Sequence, residues 1–191
     1  MDGLRIGPDD IARCGWVGDD ADYQRYHDNE WGVPLHGDRA LFEKVSLEGF
    51  QAGLSWITIL RKRTRFREAF AGFEPTKVAA FGDADITRLM GDAGIVRNRA
   101  KIESTISNAR LVTAMDPGDL DLLLWSFTPT PRPRPRSFAE VPATTPESIA
   151  MSEALRRRGF RFVGPTTMYA LMQSAGMVDD HLVGCWRCGT S

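Results

Sequence analysis

The amino-acid sequence predicts an all-α protein built around one hydrophobic core. Apolar residues recur three and four positions apart in several segments, and a residue that can cap a helix precedes most of them. Patterns that alternate apolar and polar residues, which are typical of half-buried strands, are almost absent, and no internal repeat is evident. A chain of 191 residues that is 42% hydrophobic can bury a sizeable core, as one domain or as one domain with an appended lobe.

The N-terminal part of the chain is the least regular. Residues 14–34 are dense in glycine, aspartate and aromatic residues, and this composition predicts irregular structure with about one turn of helix. We expect residues 1–12 to be an N-terminal extension, residues 13–188 to form the single domain and residues 189–191 to be a tail.

A helix is predicted from about Asp38 to Gly49, with Asp38 as a candidate N-cap. The spacing along this helix places Glu48 on the same face as the apolar residues Leu41 and Val45. We therefore expect the Glu48 side chain to point toward the interior or into a cleft. The alternative is that Glu48 lies at the edge of the apolar face with its carboxylate in water, since glutamate is rarely fully buried.

Further helices are predicted along the rest of the chain. Ser55 can cap an arginine-rich helix, Thr145 or Ser148 can open another, and a last apolar helix covers residues 166–177. The connection at residues 128–147 is too rich in proline for regular structure and is predicted to be extended.

Residues 84–112 predict two helices joined by a glycine-bearing turn at residues 91–95, a candidate helix-hairpin-helix motif. Asp83 or Asp85 can cap the first of these helices. Such a turn can present backbone N–H groups and a helix N-terminus to a phosphate. Glycine turns between helices are common, so this motif alone is weak evidence for DNA binding.

The net charge of −1 argues against a protein covered in positive charge. The arginines are nevertheless clustered. Each cluster alone is typical of a solvated surface, and several clusters on one face would form a phosphate-binding patch. The clusters are RKRTRFR at 61–67, RNRAK at 97–101, PRPRPR at 131–136 and RRRGFR at 156–161.

The sequence also bears on location. No apolar run has the length needed to span a membrane, and the first residues lack the pattern of a signal peptide. We therefore expect a soluble, cytoplasmic protein with no membrane partner.

Cysteines and histidines near the two ends of the chain predict a metal site. Cys14 and His27 in the first segment, with His181 and Cys185 in the last, supply two thiolates and two imidazoles, a set that Zn²⁺ accepts in closed structural sites. Such a site would join the N- and C-terminal segments. The alternative is that these cysteines and histidines are incidental. With Cys188 the sequence has three cysteines, an odd number that makes a poor disulfide framework.

These residues also fit other patterns. Cys185 and Cys188 form a C-x-x-C pattern, but a redox role normally needs a βαβ setting that the sequence does not predict. Cys188 can also replace Cys14 as a metal ligand. The run from His27 to Glu30 matches neither H-E-x-x-H nor the zinc deaminase pattern, so a closed structural site is favoured over a catalytic one.

Several of these segments together resemble one family, the bacterial DNA-3-methyladenine glycosylases of type I, which belong to the helix-hairpin-helix DNA glycosylases. The matching segments occur in order over nearly the whole chain, and the Pro/Arg-rich stretch matches only as a variable connection. They are RCGW (13–16), YHDNEWGVP (26–34), LEGFQAGLSWITIL (47–60), DAGIVRNRAKI (92–102), RRGFRFVGPTT (157–167) and DHLVGC (180–185).

The resemblance implies an all-α helix-hairpin-helix glycosylase fold with one structural zinc per chain. Its metal ligands fall on the same four residues that their chemistry suggests: Cys14, His27, His181 and Cys185. The glutamate that contacts the base and is catalytic in that family corresponds to Glu48. The aromatic pocket falls on Tyr26 and Trp56, with Trp31 and Trp16 nearby and Tyr23 as a weaker match.

The resemblance also implies how duplex DNA is engaged. The loop that enters the duplex falls on Gln51, Gly53 and Leu54, with Leu54 as the plug, the residue that fills the space left by a flipped base. At the helix-hairpin-helix, the turn at Gly94 would face a phosphate and nearby cations would add positive charge. These cations are Arg97, Arg99 and Lys101.

The implied reaction is hydrolysis of the N-glycosidic bond of 3-methyladenine in alkylated double-stranded DNA, with base flipping and without a lyase step. Free 3-methyladenine and an abasic site would be the products, and a monomer is expected. Many helix-hairpin-helix glycosylases carry a catalytic aspartate; this family looks as if it lacks one, and so does this sequence. Two rivals remain: a zinc-containing DNA-binding module without catalysis, and a zinc-dependent hydrolase of nucleobases or nucleotides.

Overall fold

The computed structural model describes residues 3–187 of the chain. This part is mostly helical, as predicted, with three short 3-10 segments and one two-stranded sheet. The strands are β1 (Leu4–Ile6) and β2 (Ala12–Cys14). The α-helices are α1 (Ala21–Asn29), α2 (Asp38–Gln51), α3 (Trp56–Ala69), α4 (Pro75–Ala79), α5 (Asp83–Gly91), α6 (Arg99–Thr113), α7 (Asp119–Trp125), α8 (Pro146–Arg157) and α9 (Pro165–Ser174).

The N-terminal part is more regular than the sequence predicts. Strands β1 and β2 pair antiparallel with Arg5 opposite Arg13, so the segment expected to be an extension contacts the start of the domain. Helix α1 has nine residues instead of about one turn, because Asp20 caps it by accepting hydrogen bonds from two backbone N–H groups. Strands of three residues are too short to show an alternating pattern, which is why the sequence did not predict them.

Helix α2 begins at Asp38, but its N-cap is Gly37, which corrects the prediction that Asp38 caps it. The Asp38 carboxylate instead accepts hydrogen bonds from the backbone N–H of Gly118 (2.7 Å) and of Asp121 (3.0 Å). Asp38 therefore joins the start of α2 to the start of α7, a role that depends on residues about eighty positions away.

The later helices begin close to where the sequence predicts, but the N-cap of α5 is Gly82 and not Asp83 or Asp85, since Asp85 lies within the first turn and accepts a 3.2 Å hydrogen bond from the Gly82 N–H. Thr145 caps α8 through a 3.2 Å hydrogen bond from the Ser148 N–H, and the Ser148 hydroxyl accepts from the Thr145 N–H at 2.9 Å. The two alternative caps thus act as one reciprocal pair. The sequence analysis missed α4 and α7, which are short.

Helix α2 lies at the centre of the fold and packs against α3, α6, α7 and α9. The main core surrounds it. A second buried cluster, which includes Cys14, Tyr26 and Cys185, lies where the two ends of the chain meet. Within residues 3–187, no helix has both the length and the apolar character to span a membrane.

Candidate functional site

A cavity of about 300 Å³ lies between the second cluster and helices α2, α3 and α9. We call it the aromatic pocket. Its wall contains every residue that the sequence analysis assigned to base binding, and also Tyr23, Gln51 and several unpredicted residues. The wall residues are Trp16, Tyr23, Tyr26, Trp31, Glu48, Gln51, Trp56, Phe138, Val141, Ala170, Gln173, Ser174 and Asp180.

Glu48 is buried, with 4% of its surface exposed, so the alternative of a solvated edge position is wrong. Its Oε1 accepts a 2.9 Å hydrogen bond from the Ser174 hydroxyl at the end of α9. The Lys44 ammonium lies 3.5 Å from the same oxygen. Burial raises the pKa of Glu48 above its usual value, while Lys44 and Ser174 act in the opposite direction.

Lys44, which lies directly behind the wall of the aromatic pocket, is a residue that the sequence analysis missed. It lies four residues before Glu48, one turn away on the same face of α2. Its Nζ donates a 2.9 Å hydrogen bond to the Tyr26 hydroxyl and lies 4.3 Å from the centroid of the Trp56 ring. Burial lowers the pKa of Lys44, and the charge of Glu48 opposes this shift. The i, i+4 spacing of a lysine and a glutamate was the available signal.

The aromatic rings form flat walls. The Tyr26 and Trp56 ring centroids lie 5.4 Å apart, and Trp16 meets Trp31 edge-on at 5.3 Å. The Tyr23 hydroxyl accepts a 3.0 Å hydrogen bond from the backbone N–H of Ile57 in the first turn of α3, which fixes that ring. Such walls suit a planar ligand, and the electron-rich faces of tryptophan and tyrosine favour a cationic one.

A second buried carboxylate, Asp180, belongs to the opposite wall and has only 1% of its surface exposed. It accepts hydrogen bonds from the Tyr169 hydroxyl (2.6 Å), the Gln173 amide (2.8 Å) and the Arg132 guanidinium (2.6 Å). Arg132 comes from the Pro/Arg-rich connection, for which the sequence suggested no role. The same connection supplies Phe138 to the wall.

The four predicted metal ligands, Cys14, His27, His181 and Cys185, are all buried, and their ligand atoms lie within 4.8 Å of one another. Cys185 Sγ is 3.4 Å from His27 Nε2 and 3.7 Å from His181 Nδ1, and Cys14 Sγ is 3.8 Å from His181 Nδ1. A tetrahedral site with metal–ligand bonds of 2.0–2.3 Å has edges of about 3.6 Å, so this donor set fits a metal ion. The alternative ligand Cys188 lies outside the described residues.

Each histidine of the cluster is oriented by an oxygen on its other ring nitrogen. His27 Nδ1 lies 2.8 Å from Asp28 Oδ1, and His181 Nε2 lies 3.2 Å from the Trp31 carbonyl. The Arg13 guanidinium in turn donates a 2.7 Å hydrogen bond to Oδ2 of Asp28. This arrangement selects the tautomers that leave one nitrogen of each ring for a metal. The interaction between the two sulfurs lowers the pKa of Cys185 and raises the pKa of Cys14, and a metal ion would bind both as thiolates.

The residues expected to enter the duplex lie on a tight turn after α2. The Leu54 N–H donates a 2.6 Å hydrogen bond to the Gln51 carbonyl, and Gly53 adopts a positive φ of 81°. This turn leaves 43% of the Leu54 surface exposed while Gln51 lines the aromatic pocket. The exposed apolar side chain and the pocket are therefore neighbours on one turn.

The structure corrects the prediction that Lys101 adds charge to a phosphate-binding face. Lys101 is 7% exposed, and its Nζ donates hydrogen bonds to the carbonyls of Phe50 (2.8 Å) and Ala52 (2.6 Å). These carbonyls lie at the C-terminal end of α2, where helical partners are missing and a cation is favoured. Arg97 and Arg99 are exposed beside the 91–95 turn, and Arg99 pairs with Glu103 at 3.2 Å.

Most of the arginine cluster at 61–67 is committed to ion pairs within the protein. Arg63 pairs with Glu30, and Arg65 pairs with Asp92 and Glu68. The other two arginines, Arg61 and Arg67, pair with Asp20 and Glu43. Because its arginines are paired with acids, this cluster adds little net positive charge to a phosphate-binding patch formed by several clusters, the possibility that the sequence raised.

A helical body, a flat-walled pocket with a buried carboxylate and an exposed apolar turn at its edge define a class: a helical protein that binds a planar, cationic ligand such as an altered nucleobase. A family model described as methyladenine glycosylase matches residues 16–188. The chain belongs to the methyladenine glycosylase family, which confirms the resemblance found in the sequence motifs.

Known members of the family are similar over nearly their whole length. The chain is 48% identical over 179 residues to DNA-3-methyladenine glycosylase 1 of Escherichia coli strain K12, covering 92% of this chain and 96% of that enzyme. A crystal structure of a 3-methyladenine DNA glycosylase I matches with a TM-score of 0.87 and 47% identity, covering 91% and 98% of the two chains. A structure described as the basis of 3-methyladenine recognition by the Staphylococcus aureus enzyme matches with a TM-score of 0.84 and 35% identity, covering 91% and 95%.

Proposed function

We propose that this protein removes 3-methyladenine from alkylated double-stranded DNA by hydrolysing the N-glycosidic bond, without a lyase step. The observation that carries the proposal is Glu48, a carboxylate buried among the aromatic rings of the pocket. The names of the Escherichia coli and Staphylococcus aureus relatives, which specify 3-methyladenine, support the same substrate. The products are free 3-methyladenine and an abasic site in the DNA.

The chemistry of the substrate explains why a binding pocket can suffice. 3-Methyladenine in DNA carries a positive charge that disappears when the base leaves, so the leaving group needs no protonation. Ionised Glu48 attracts this cationic base and accepts a charge-assisted hydrogen bond from it. The Tyr26 and Trp56 rings add cation–π contacts that reach about 2 kcal/mol when desolvated. Unmodified adenine is neutral and gains neither charge-dependent interaction.

The target base must leave the duplex to reach this pocket, at a cost of a few kcal/mol. Leu54, exposed on the turn beside the pocket, is placed to fill the space that the base leaves. Arg97 and Arg99 are exposed on the candidate helix-hairpin-helix and suit phosphate contacts, whereas the Gly94 N–H donates a 2.8 Å hydrogen bond to the Asp92 carboxylate. A monomer suffices for this mode of binding, and we propose that the protein acts on DNA in the cytoplasm of a bacterial cell.

We also propose that the Cys14, His27, His181 and Cys185 cluster holds one structural zinc ion. Two thiolates and two imidazoles complete a tetrahedral site, which leaves no open coordination position for substrate. When bound, zinc supplies folding free energy, on the order of 10 kcal/mol of apparent binding free energy in small zinc domains. This closed donor set disfavours the zinc-dependent hydrolase, and the aromatic pocket disfavours a binding module without catalysis.

The decisive experiment measures the bases released from methylated duplex DNA by the purified protein, separated by chromatography. We expect selective release of 3-methyladenine, with 7-methylguanine left in the DNA. Release of neither base by folded, metal-loaded protein would overturn the proposed activity and favour the DNA-binding module.

A further inference from the structure

We propose that Lys44 is a positioning residue that keeps Glu48 ionised in the empty aromatic pocket and holds the Tyr26 hydroxyl in place for the incoming base. The proposal deepens the proposed function and rests on it for the identity of the base. Its geometric basis is one ammonium group that contacts a carboxylate, a phenol and an indole ring of the same pocket.

The Lys44 ammonium contacts three pocket residues at once. It lies 3.5 Å from Glu48 Oε1, 2.9 Å from the Tyr26 hydroxyl and 4.3 Å from the Trp56 ring centroid. The side chain itself is buried, with 8% of its surface exposed. A buried cation is costly unless it is paired, and these three contacts of the Lys44 ammonium are all with residues of the pocket wall.

Lys44 lies behind the wall of the pocket and does not occupy the base site. It lines a separate cavity of about 240 Å³ that shares Tyr26, Trp56 and Ser174 with the aromatic pocket, and it is not among the residues that line the pocket itself. Glu48 Oε1 faces Lys44 and Ser174. Within residues 3–187, Glu48 Oε2 accepts no hydrogen bond, so this oxygen is available to a ligand.

Glu48 needs a counter-charge because an isolated buried carboxylate takes up a proton. Burial raises the pKa of Glu48, and Lys44 is the largest influence that lowers it again, followed by the Ser174 hydroxyl. A protonated Glu48 would lose both the attraction for a cationic base and the charge-assisted hydrogen bond. In the empty pocket, Lys44 and Glu48 form a neutral pair.

The other charged groups around the pair are already matched. Arg63 on α3 and Glu30 after α1 pair with each other at 2.8 Å. Asp180 on the opposite wall is paired with Arg132 at 2.6 Å. Tyr26 on α1 is neutral, because burial raises its pKa well above the usual value. Among the described residues, Lys44 is thus the cation within ion-pair distance of Glu48.

The test uses Lys44→Met, which keeps an unbranched side chain only one heavy atom shorter and removes the charge. Binding of 3,9-dimethyladeninium, a probe that stays cationic over the pH range used, is followed between pH 5 and pH 8 by quenching of tryptophan fluorescence. The matched control is Lys77→Met, which removes an exposed lysine on α4. Glu48→Gln identifies the part of the pH dependence that belongs to Glu48.

The affinity for the probe should fall at low pH, where Glu48 takes up a proton. In Lys44→Met we expect this fall to begin about one pH unit or more higher than in wild type. Near pH 6 this shift corresponds to about a tenfold loss of affinity, with less loss at pH 8. Lys77→Met should follow the wild-type curve. A Lys44→Met curve that coincides with the wild-type curve would overturn the proposal. Because this measurement needs neither DNA nor turnover, its outcome is separate from that of the base-release experiment.

A second measurement needs no Lys44 variant and therefore does not depend on its folding. The carboxyl carbon of Glu48 is identified in the NMR spectrum of glutamate-labelled wild-type protein by its absence in Glu48→Gln. We expect a carboxylate chemical shift at pH 7 in the empty protein. A protonated carboxyl at that pH would contradict the proposal.

Discussion

Tyr26 and His27 are consecutive residues of α1, yet their side chains belong to two different sites. Tyr26 lines the aromatic pocket and its hydroxyl accepts a hydrogen bond from Lys44 behind the wall, whereas His27 Nε2 lies 3.4 Å from Cys185 Sγ in the Cys/His cluster. Asp180 and His181 repeat this relationship at the other end of the chain, since Asp180 lines the pocket and His181 belongs to the cluster. Neighbouring residues of two segments thus connect the wall of the pocket to the Cys/His cluster.

Removal of the metal should destabilise the protein and disturb the pocket together. We expect one zinc per chain by elemental analysis. The melting temperature should be lower after chelation or in Cys14→Ala, because the two ends of the chain lose the metal ion that joins them. Binding of 3-methyladenine should weaken in parallel with unfolding. A metal-free protein that melts and binds like the untreated one would rule out the structural role.

Glu48→Gln should lower kcat/KM for release of 3-methyladenine by about 10- to 100-fold, since hydrogen bonds to charged groups are worth about 1.5–3 kcal/mol. The fold should persist, as circular dichroism can show. Glu153→Gln, on the exposed face of α8, serves as the control. Unchanged kcat/KM in Glu48→Gln would exclude a role for this carboxylate.

The pKa of Glu48 also predicts how stability depends on pH. Burial raises this pKa above its ordinary value of 4.5, so the folded protein binds the proton more tightly than the unfolded chain. The stability of wild type relative to Glu48→Gln should therefore be highest below pH 4.5 and fall as the pH rises through the folded-state pKa. Urea unfolding of both proteins between pH 4 and pH 7 measures this difference; a difference that grows with pH would have the wrong sign.

Leu54→Ala should slow base release from duplex DNA, by about tenfold, while binding of free 3-methyladenine stays unchanged. The reason is that a shorter side chain fills less of the space left by the flipped base, without touching the pocket. Leu122→Ala changes another exposed leucine, far along the chain on α7, and should have no effect on either quantity. Equal effects of Leu54→Ala on duplex turnover and free-base binding would argue against a plug.

Lys101→Met distinguishes a structural lysine from a phosphate contact. It should lower the free energy of unfolding by about 1–3 kcal/mol, because the carbonyls of Phe50 and Ala52 lose their donor. The dependence of DNA affinity on salt should not change. Arg97→Met, by contrast, should reduce the salt slope by about one without destabilising the fold. A reduced salt slope in Lys101→Met would restore its predicted phosphate contact.

Local features of the sequence determined much of the helical architecture. Helical spacing placed Glu48 on the buried face of α2, and Thr145 and Ser148 were found as the cap of α8, because caps and periodicity involve residues a few positions apart. The types of donor near the two ends of the chain predicted a metal site, with Cys188 as an alternative to Cys14, and the structure brings the four candidate ligands together. The family followed from motifs that occur in order over nearly the whole chain.

Only the tertiary structure decided which distant residues meet. Glu48 accepts a hydrogen bond from Ser174, 126 positions away, and Arg132 of the proline-rich connection pairs with Asp180. Lys101 lies in a basic cluster of the sequence, yet packing turns its ammonium to the end of α2. Sequence patterns report the period of an element and the chemistry of its side chains. The partner of a buried charge is set by how helices pack, because a charge removed from water is stabilised by whichever group lies within a few ångströms.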